Sequence, residues 1–543
     1  MALRKKLHEW WNGEISGLTS AAVIVGLASV ASRLVGVLRD RVLASTFGAG
    51  HELDVYYAAF RVPDLLYTLI ILGALSAGFI PVFSEYLETR GKEEAWKLAA
   101  QVVSAVGFAM AIACVLLAVT AQWIVPLTVP GFSPDNAALT VNLSRIMFLS
   151  PFLLGLSAVM GGILQATRRF LAFSLAPVLY NLGIIVGALV LAPRIGVTGV
   201  AWGVVLGAFL HFIVQAGVVS KLGLGRIPWP SFKPAGVRRI IKLMLPRTVG
   251  LAVSQFNLII LLAFASVMAA GSVAIFNLAN NLQSFPVGVF GISYALAAFP
   301  LLSRAASLKD WETFKRELTS AASKIAFLII PSTAVFFLLR AQIVRMVLGA
   351  GQFDWNDTIR TANVLGIFLF SMLGQALIPL LARAFYAVQN TRTPLVISVL
   401  AEGVTLALAW TFKDSLGVVG LALAFAVSTY INAALLWYFF RRQHGSLREK
   451  EFALSILKTL IASLAIIAAG YPARQYIGTV YQLRTFWEVA LQSAAACAAG
   501  GIAFVVVAAL LKSPELRDFK AAFQRKIFKH KPKVAGAEEA QGL

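Results

Sequence analysis

LAAQVVSAVGFAMAIACVLLAVTAQWIV, residues 98–125, contains no charged side chain. As a helix it would rise about 42 Å, and a hydrocarbon core of ~30 Å needs about 20 apolar residues. The stretch reads as a membrane span. Outward from it, similar stretches recur at 17–46, 55–84, 138–165, 171–193, 197–220, 238–267, 272–302, 317–339, 359–388, 393–412, 416–440, 452–471 and 486–511. About fourteen spans follow from this pattern. The 543 residues are 59% hydrophobic and 13% charged, whereas soluble domains are about 25% charged. A bilayer solves the packing problem this creates, because lipid solvates the outer apolar face. The fold class expected is an all-α polytopic membrane protein.

The charge of +22 invites a nucleic-acid reading, but its distribution argues against one. If the spans alternate, 31 of the 47 lysines and arginines fall on the side of the N-terminus. Seven fall opposite: Arg194, Arg340, Arg345, Arg360, Lys413, Arg474 and Arg484. The excess marks the cytoplasmic side and places both termini there. The first span follows Arg4, Lys5 and Lys6 at full length, so it reads as a retained helix rather than a cleaved leader. Cys114 and Cys497 each lie inside an apolar stretch and read as small core residues. No phosphate-binding GxxxxGK[ST] loop, HExxH or GxSxG motif occurs, which points to transport rather than enzymology, with no cofactor.

Ile195–Trp202 (IGVTGVAW) resembles Leu416–Leu423 (LGVVGLAL) at a spacing near 220 residues, and each opens a span. Pro81 and Ser84 align more weakly with Pro300 and Ser303. The spacing implies a six-helix half over 1–230, a second over 231–445, two further helices over 446–512 and a basic cytoplasmic tail over 513–543. An even helix number gives both halves one orientation, related by an axis along the membrane normal.

Charges within spans cost ~2.5–3.5 kcal/mol at the centre, so they need a reason. Arg33, Arg39, Asp40, Arg41, Asp54, Arg61 and Asp64 crowd the first two helices. Arg33 and Arg39 lie less than two turns apart on one side of a helix. With Arg61 they would attract an anion, and guanidinium groups suit phosphate. Asp40, Arg41, Asp54 and Asp64 either reach headgroups or face the same cavity. Glu402 sits mid-span and fits a proton or cation site or an ion pair with an arginine.

These residues also carry a resemblance. Ser32-Arg33-Leu34-Val35-Gly36, Arg39-Asp40, Phe47-Gly48-Ala49-Gly50, Asp54 and Phe60-Arg61-Val62-Pro63 resemble the first two helices of the MurJ (MviN) family. Gly73–Ser76, Phe79-Ile80-Pro81, Phe285–Gly291 and Phe385–Pro394 continue the likeness across the chain. That family lies in the multidrug/oligosaccharidyl-lipid/polysaccharide exporter superfamily. The resemblance implies a lipid II flippase of the bacterial cytoplasmic (inner) membrane, serving peptidoglycan and cell-wall biogenesis and hence cell shape. Its cargo would be the undecaprenyl-pyrophosphate-linked precursor, moved to the periplasmic leaflet by alternating access driven by membrane potential or a monovalent cation. Cell-wall synthesis proteins are the implied protein partners. The two added helices would line a groove for the lipid tail.

Residue by residue, the resemblance implies substrate binding by Arg33, Arg39, Arg61 and Asp54, with Asn280 and Asn281 on the facing helix. Asn390 and Glu402 are candidates for cation coupling. The chain departs from the family at Tyr67 and Asn281, where arginine is usual, and at Leu72, where glutamate is usual. Those departures leave two alternatives open. One is an exporter of another polyprenyl-linked glycan or hydrophobic substrate. The other is a transport-inactive membrane scaffold.

Overall fold

The computed structural model describes residues 18–69, 78–483 and 485–527. The basic N-terminal segment, Leu72, Gly73–Ser76 and the end of the tail lie outside the described residues, as does the side chain of Arg247. The described residues are helical throughout, joined by short turns. In chain order the helices are α1 (Leu18–Phe47), α2 (His51–Tyr67), α3 (Ile80–Thr89), α4 (Lys92–Thr128), α5 (Pro134–Met147), α6 (Leu149–Ala166), α7 (Phe170–Val186) and α8 (Val197–Val219). After a proline-bearing connection come α9 (Ala235–Ser266), α10 (Ser272–Pro286), α11 (Ser293–Ser307), α12 (Trp311–Leu338) and α13 (Arg340–Leu348). The rest are α14 (Trp355–Ala387), α15 (Arg392–Leu416), α16 (Val418–His444), α17 (Glu449–Val480), α18 (Phe486–Leu510) and α19 (Pro514–Ile527).

Eleven helices among the described residues are long and apolar enough to cross a membrane. Of the remaining expected spans, 17–46 and 55–84 include residues outside the description, and 238–267 includes side chains outside it. As expected over 138–165, there is one span, from Pro134 to Ala166; α5 and α6 meet within it at Phe148, whose φ of −61° and ψ of −18° stay helical. The chain is a multi-pass membrane protein.

Local chemistry sets the helix ends. Ser133 caps α5, accepting from the Asn136 amide at 3.3 Å, with Pro134 in the first turn. Asp310 caps α12 through the Thr313 amide at 3.0 Å. Thr485 and Glu488 form a reciprocal capping box at α18. The two copies of the sequence repeat share a local geometry. Gly196 and Gly417 have φ of +60° and +55°, a region that glycine enters without Cβ strain. Each carbonyl then accepts from the amide three residues on, Gly199 and Gly420, both at 2.9 Å.

The contacts separate the chain into two compact units. The first comprises residues 1–282, 343–368 and 398–428; the second comprises 283–342, 369–397 and 429–543. In the first, Phe79, Phe83, Trp96, Val103 and Ile163 form one buried cluster, and Val237 and Ile240 of α9 join it. In the second, Phe327 stacks on Phe519 of α19 and packs at a tilt against Phe504 of α18. Cys114 is buried, as its apolar surroundings suggested, but Cys497 is exposed. A long helix beside lipid hides only a narrow stripe, so an apolar position need not be a core position.

Candidate functional site

The charged residues of α1 and α2 are drawn together within the first unit. Arg39 Nε and Nη2 both donate to Oδ1 of Asp40, at 3.0 and 2.7 Å. Its Nη1 donates to Oδ1 of Asn181 on α7 at 2.9 Å. The other oxygen of Asp40 accepts from Asn281 Nδ2 on α10 at 3.0 Å. One network therefore ties α7, α1 and α10. Asn281 meets Asp40 with an amide, so Arg39 is the cation that balances that carboxylate.

Arg61 behaves differently. Its Nη2 donates to Oδ1 of Asn277 on α10. Asn277 is held in turn by its own donation to the Val273 carbonyl at 2.7 Å. The Nε of Arg61 is buried without a hydrogen-bond partner among the described residues. Arg33 is half-buried. Among the described residues neither arginine makes an ion pair with a carboxylate. Asp64, one turn beyond Arg61, instead lines a small cavity of about 70 Å³ with Tyr67, Ser150 and Tyr180.

Asp54 is only 3% exposed. Its two oxygens accept from the backbone amides of Gly271 and Ala274, each at 2.7 Å, at the start of α10. A carboxylate there meets both unsatisfied N–H groups and the positive end of the helix dipole. The same region is sealed by further contacts. The amide of Gln352 donates to the Ser45 carbonyl at 2.9 Å, and Ala49 N donates to Asp357 Oδ2 at 2.9 Å. Arg41 reaches the Met346 carbonyl at 2.6 Å, and Arg360 reaches that of Ala270 at 3.0 Å. Gly271, at φ +82°, admits no side chain, since a Cβ would lie 1.8 Å from the Ala49 oxygen.

Asn280 lies half-buried on α10 beside this network. Asn390 is half-buried in the second unit. Its Oδ1 accepts from the Thr393 amide at 3.1 Å and its Nδ2 donates to Thr393 Oγ1 at 2.9 Å, which caps α15. Among the described residues Glu402 does not pair with an arginine. It accepts from Asn257 Nδ2 on α9. Asn257 is 4% exposed and its Oδ1 has no partner among the described residues. The second unit also holds an apolar groove of about 410 Å³. Ile330 and Phe337 of α12, Phe370 of α14, Tyr430 of α16, and Leu460 and Leu464 of α17 line it.

Reading the sequence did not single out Asn181, Asn257 or Asn277 as partners. Asn277 stood within a polar run on a span, a usable signal. Asn181 and Asn257 are isolated amides, and their partners are 142 and 145 residues away.

Comparison with known proteins follows the same lines. The family described as "Lipid II flippase MurJ" matches residues 43–530. The lipid II flippase MurJ of Burkholderia cenocepacia is 30% identical over 459 residues, covering 83% of this chain and 89% of that protein. A probable lipid II flippase MurJ of Rhizobium tropici is 30% identical over 444 residues, covering 79% and 82%. Among solved structures, a lipid II flippase MurJ in an inward closed conformation superposes with a TM-score of 0.74 at 23% identity, covering 92% of this chain and 99% of that one. An inward-facing MATE-family multidrug resistance transporter of the MOP superfamily gives 0.65 at 17% identity, covering 77% and 96%. A family match running from the end of α1 through α2 to the tail, with relatives matched over most of their length, makes this chain a member of the lipid II flippase MurJ family.

Proposed function

We propose that the chain flips lipid II, the undecaprenyl-pyrophosphate-linked peptidoglycan precursor, from the cytoplasmic to the periplasmic leaflet. The observation that carries this reading is Arg61. A guanidinium inside a span, bonded to an amide and in no ion pair among the described residues, is costly unless an anion completes it. A pyrophosphate offers acceptor oxygens to just such a fork. Arg33 adds a second uncompensated charge on the neighbouring helix. The apolar groove beside α17 supports the same cargo, since a polyprenyl chain needs a dry surface that excludes its methyl groups from protein polar atoms.

The positive-inside count supports an orientation in the bacterial cytoplasmic membrane with both termini in the cytoplasm. The seal around Asp54 then closes the periplasmic end, and alternating access opens it as the opposite end closes. Glu402 and Asn257 supply a carboxylate and a free amide oxygen, a pair suited to a proton or monovalent cation that couples transport to the membrane potential. Asn390 takes the role of a helix cap in this arrangement. Cell-wall synthesis proteins would meet the exposed cytoplasmic or periplasmic turns.

The test is complementation. In cells depleted of their own lipid II flippase, this chain should restore growth and precursor export. Arg61→Ala should lower export at least tenfold while the protein remains in the membrane. Growth unaffected by Arg61→Ala would sink the assignment of the anion site. Failure of the unsubstituted chain to restore export would sink the cargo itself, in favour of another polyprenyl-linked substrate.

A further inference from the structure

Away from the arginine network, α12, α17 and α19 line an open-sided cavity of about 290 Å³, bordered by charged and hydroxyl side chains, at the tail end of the second unit. That volume far exceeds the ~10–15 Å³ one water requires. Four cations line it, Arg316, Lys324, Arg448 and Lys458, against three carboxylates. Every carboxylate is already occupied. Glu515 accepts from the Ser455 and Ser513 hydroxyls at 2.6 and 2.7 Å. Asp518 pairs with Lys324 at 3.3 Å, and Glu451 with Arg448 at 3.5 Å. The surplus is on the donor side. Lys458 is half-buried and makes no hydrogen bond or ion pair among the described residues. Ser320 and Ser323, one turn apart on α12, have hydroxyls that bond nothing among the described residues, and Ser323 is only 7% exposed.

These donors face the cavity without a protein acceptor among the described residues, so a ligand there can take their hydrogen bonds. An ammonium and two hydroxyls converging on one cavity match a tetrahedral oxyanion, which takes several donors at once. We infer that this cavity binds a phosphate group, held by Lys458, Ser320 and Ser323. The group belongs either to the headgroup of an anionic phospholipid or to free inorganic phosphate. A lipid fits the surroundings. The α12 stripe bearing Ser320 and Ser323 continues through Ile330 and Phe337, which line the apolar groove, and Ser323 and Ile330 are about 10 Å apart along the helix. Bound phosphate would bridge α12 and α17 beneath α19, whose Phe519 stacks on Phe327 at 5.7 Å. The inference does not depend on the cargo proposed above.

The experiment uses the full chain purified in detergent. Native mass spectrometry compares retention of phosphatidylglycerol with that of phosphatidylcholine. Phosphorus NMR line broadening follows inorganic phosphate. The variant is S320A/S323A/K458Q, with R226A/K233A on the connection before α9 as the control for general surface charge. Phosphatidylglycerol should be retained at least fivefold over phosphatidylcholine, and the triple variant should lose that preference while the control keeps it. Broadening of inorganic phosphate that vanishes in the triple variant, without lipid preference, supports the site with free phosphate as the source. Equal behaviour of the triple variant and the parent in both arms overturns the inference. If the triple variant does not fold, K458R against K458Q decides, since only loss of the charge should abolish binding. Equal binding by that pair also overturns it.

Discussion

Arg61 and Arg39 occupy adjacent helices and meet opposite fates. Arg39 spends three nitrogens on Asp40 and Asn181, whereas Arg61 keeps an unpartnered Nε. The difference follows from Asp40, which sits next to Arg39 in sequence and satisfies it locally. The arginine pair was legible as an anomaly in the sequence, because a bilayer makes any charge conspicuous. Their partners were not. An asparagine in a span costs little enough to pass unnoticed, and which charge it meets depends on helix packing over more than a hundred residues. Gly271 is a sharper case at this scale. Gly271→Ala would place a Cβ against the Ala49 oxygen at a positive φ. It should destabilise the protein by about 1–3 kcal/mol, read as a lowered Tm in detergent. An unchanged Tm would mean that the turn at residues 48–50 can retreat without cost.

At the scale of the element, the spans were readable because length and apolarity are imposed by the membrane. Which face of each span is covered was not readable, and Cys497 shows why: α18 is apolar all round, so no periodicity separates lipid from protein. The junction of α5 and α6 at Phe148 lies inside one span, as the continuous apolar composition implied. Helix caps lie in water and obey local rules. The backbone amide of Thr313 holds the Asp310 carboxyl below the usual carboxylate range. Because the folded value is depressed, its contribution to the start of α12 is present above the unfolded value of ~3.9 and is lost as pH falls through the folded value. Amide exchange at Thr313, corrected for its intrinsic rate, should therefore speed up below about pH 4. Asp310→Asn keeps an acceptor but no titrating group, and its exchange should show no such step. A step that persists in Asp310→Asn would assign the effect elsewhere.

For the whole molecule, the proposed alternating access predicts that the contacts between Ser45 and Gln352 break in each cycle. Their backbones are in hydrogen-bond contact, within the Cα separation that a disulfide spans. In a background where Cys114 and Cys497 are replaced by Ala, Ser45→Cys with Gln352→Cys should block export when oxidised. Export should return on reduction. Full export by the cross-linked protein would show that this end never opens. The full-length likeness to the MurJ family was legible from short motifs in the first two helices, and the motif Phe47–Gly50 proves to be the turn that packs against Gly271. What those motifs did not reveal is that Asp54 grips backbone rather than side chain. Its partners at 271 and 274 present the same N–H whatever residue stands there, proline excepted. Pairwise covariation among relatives will therefore be blind to this latch, and a charge-swap experiment has no second residue to swap.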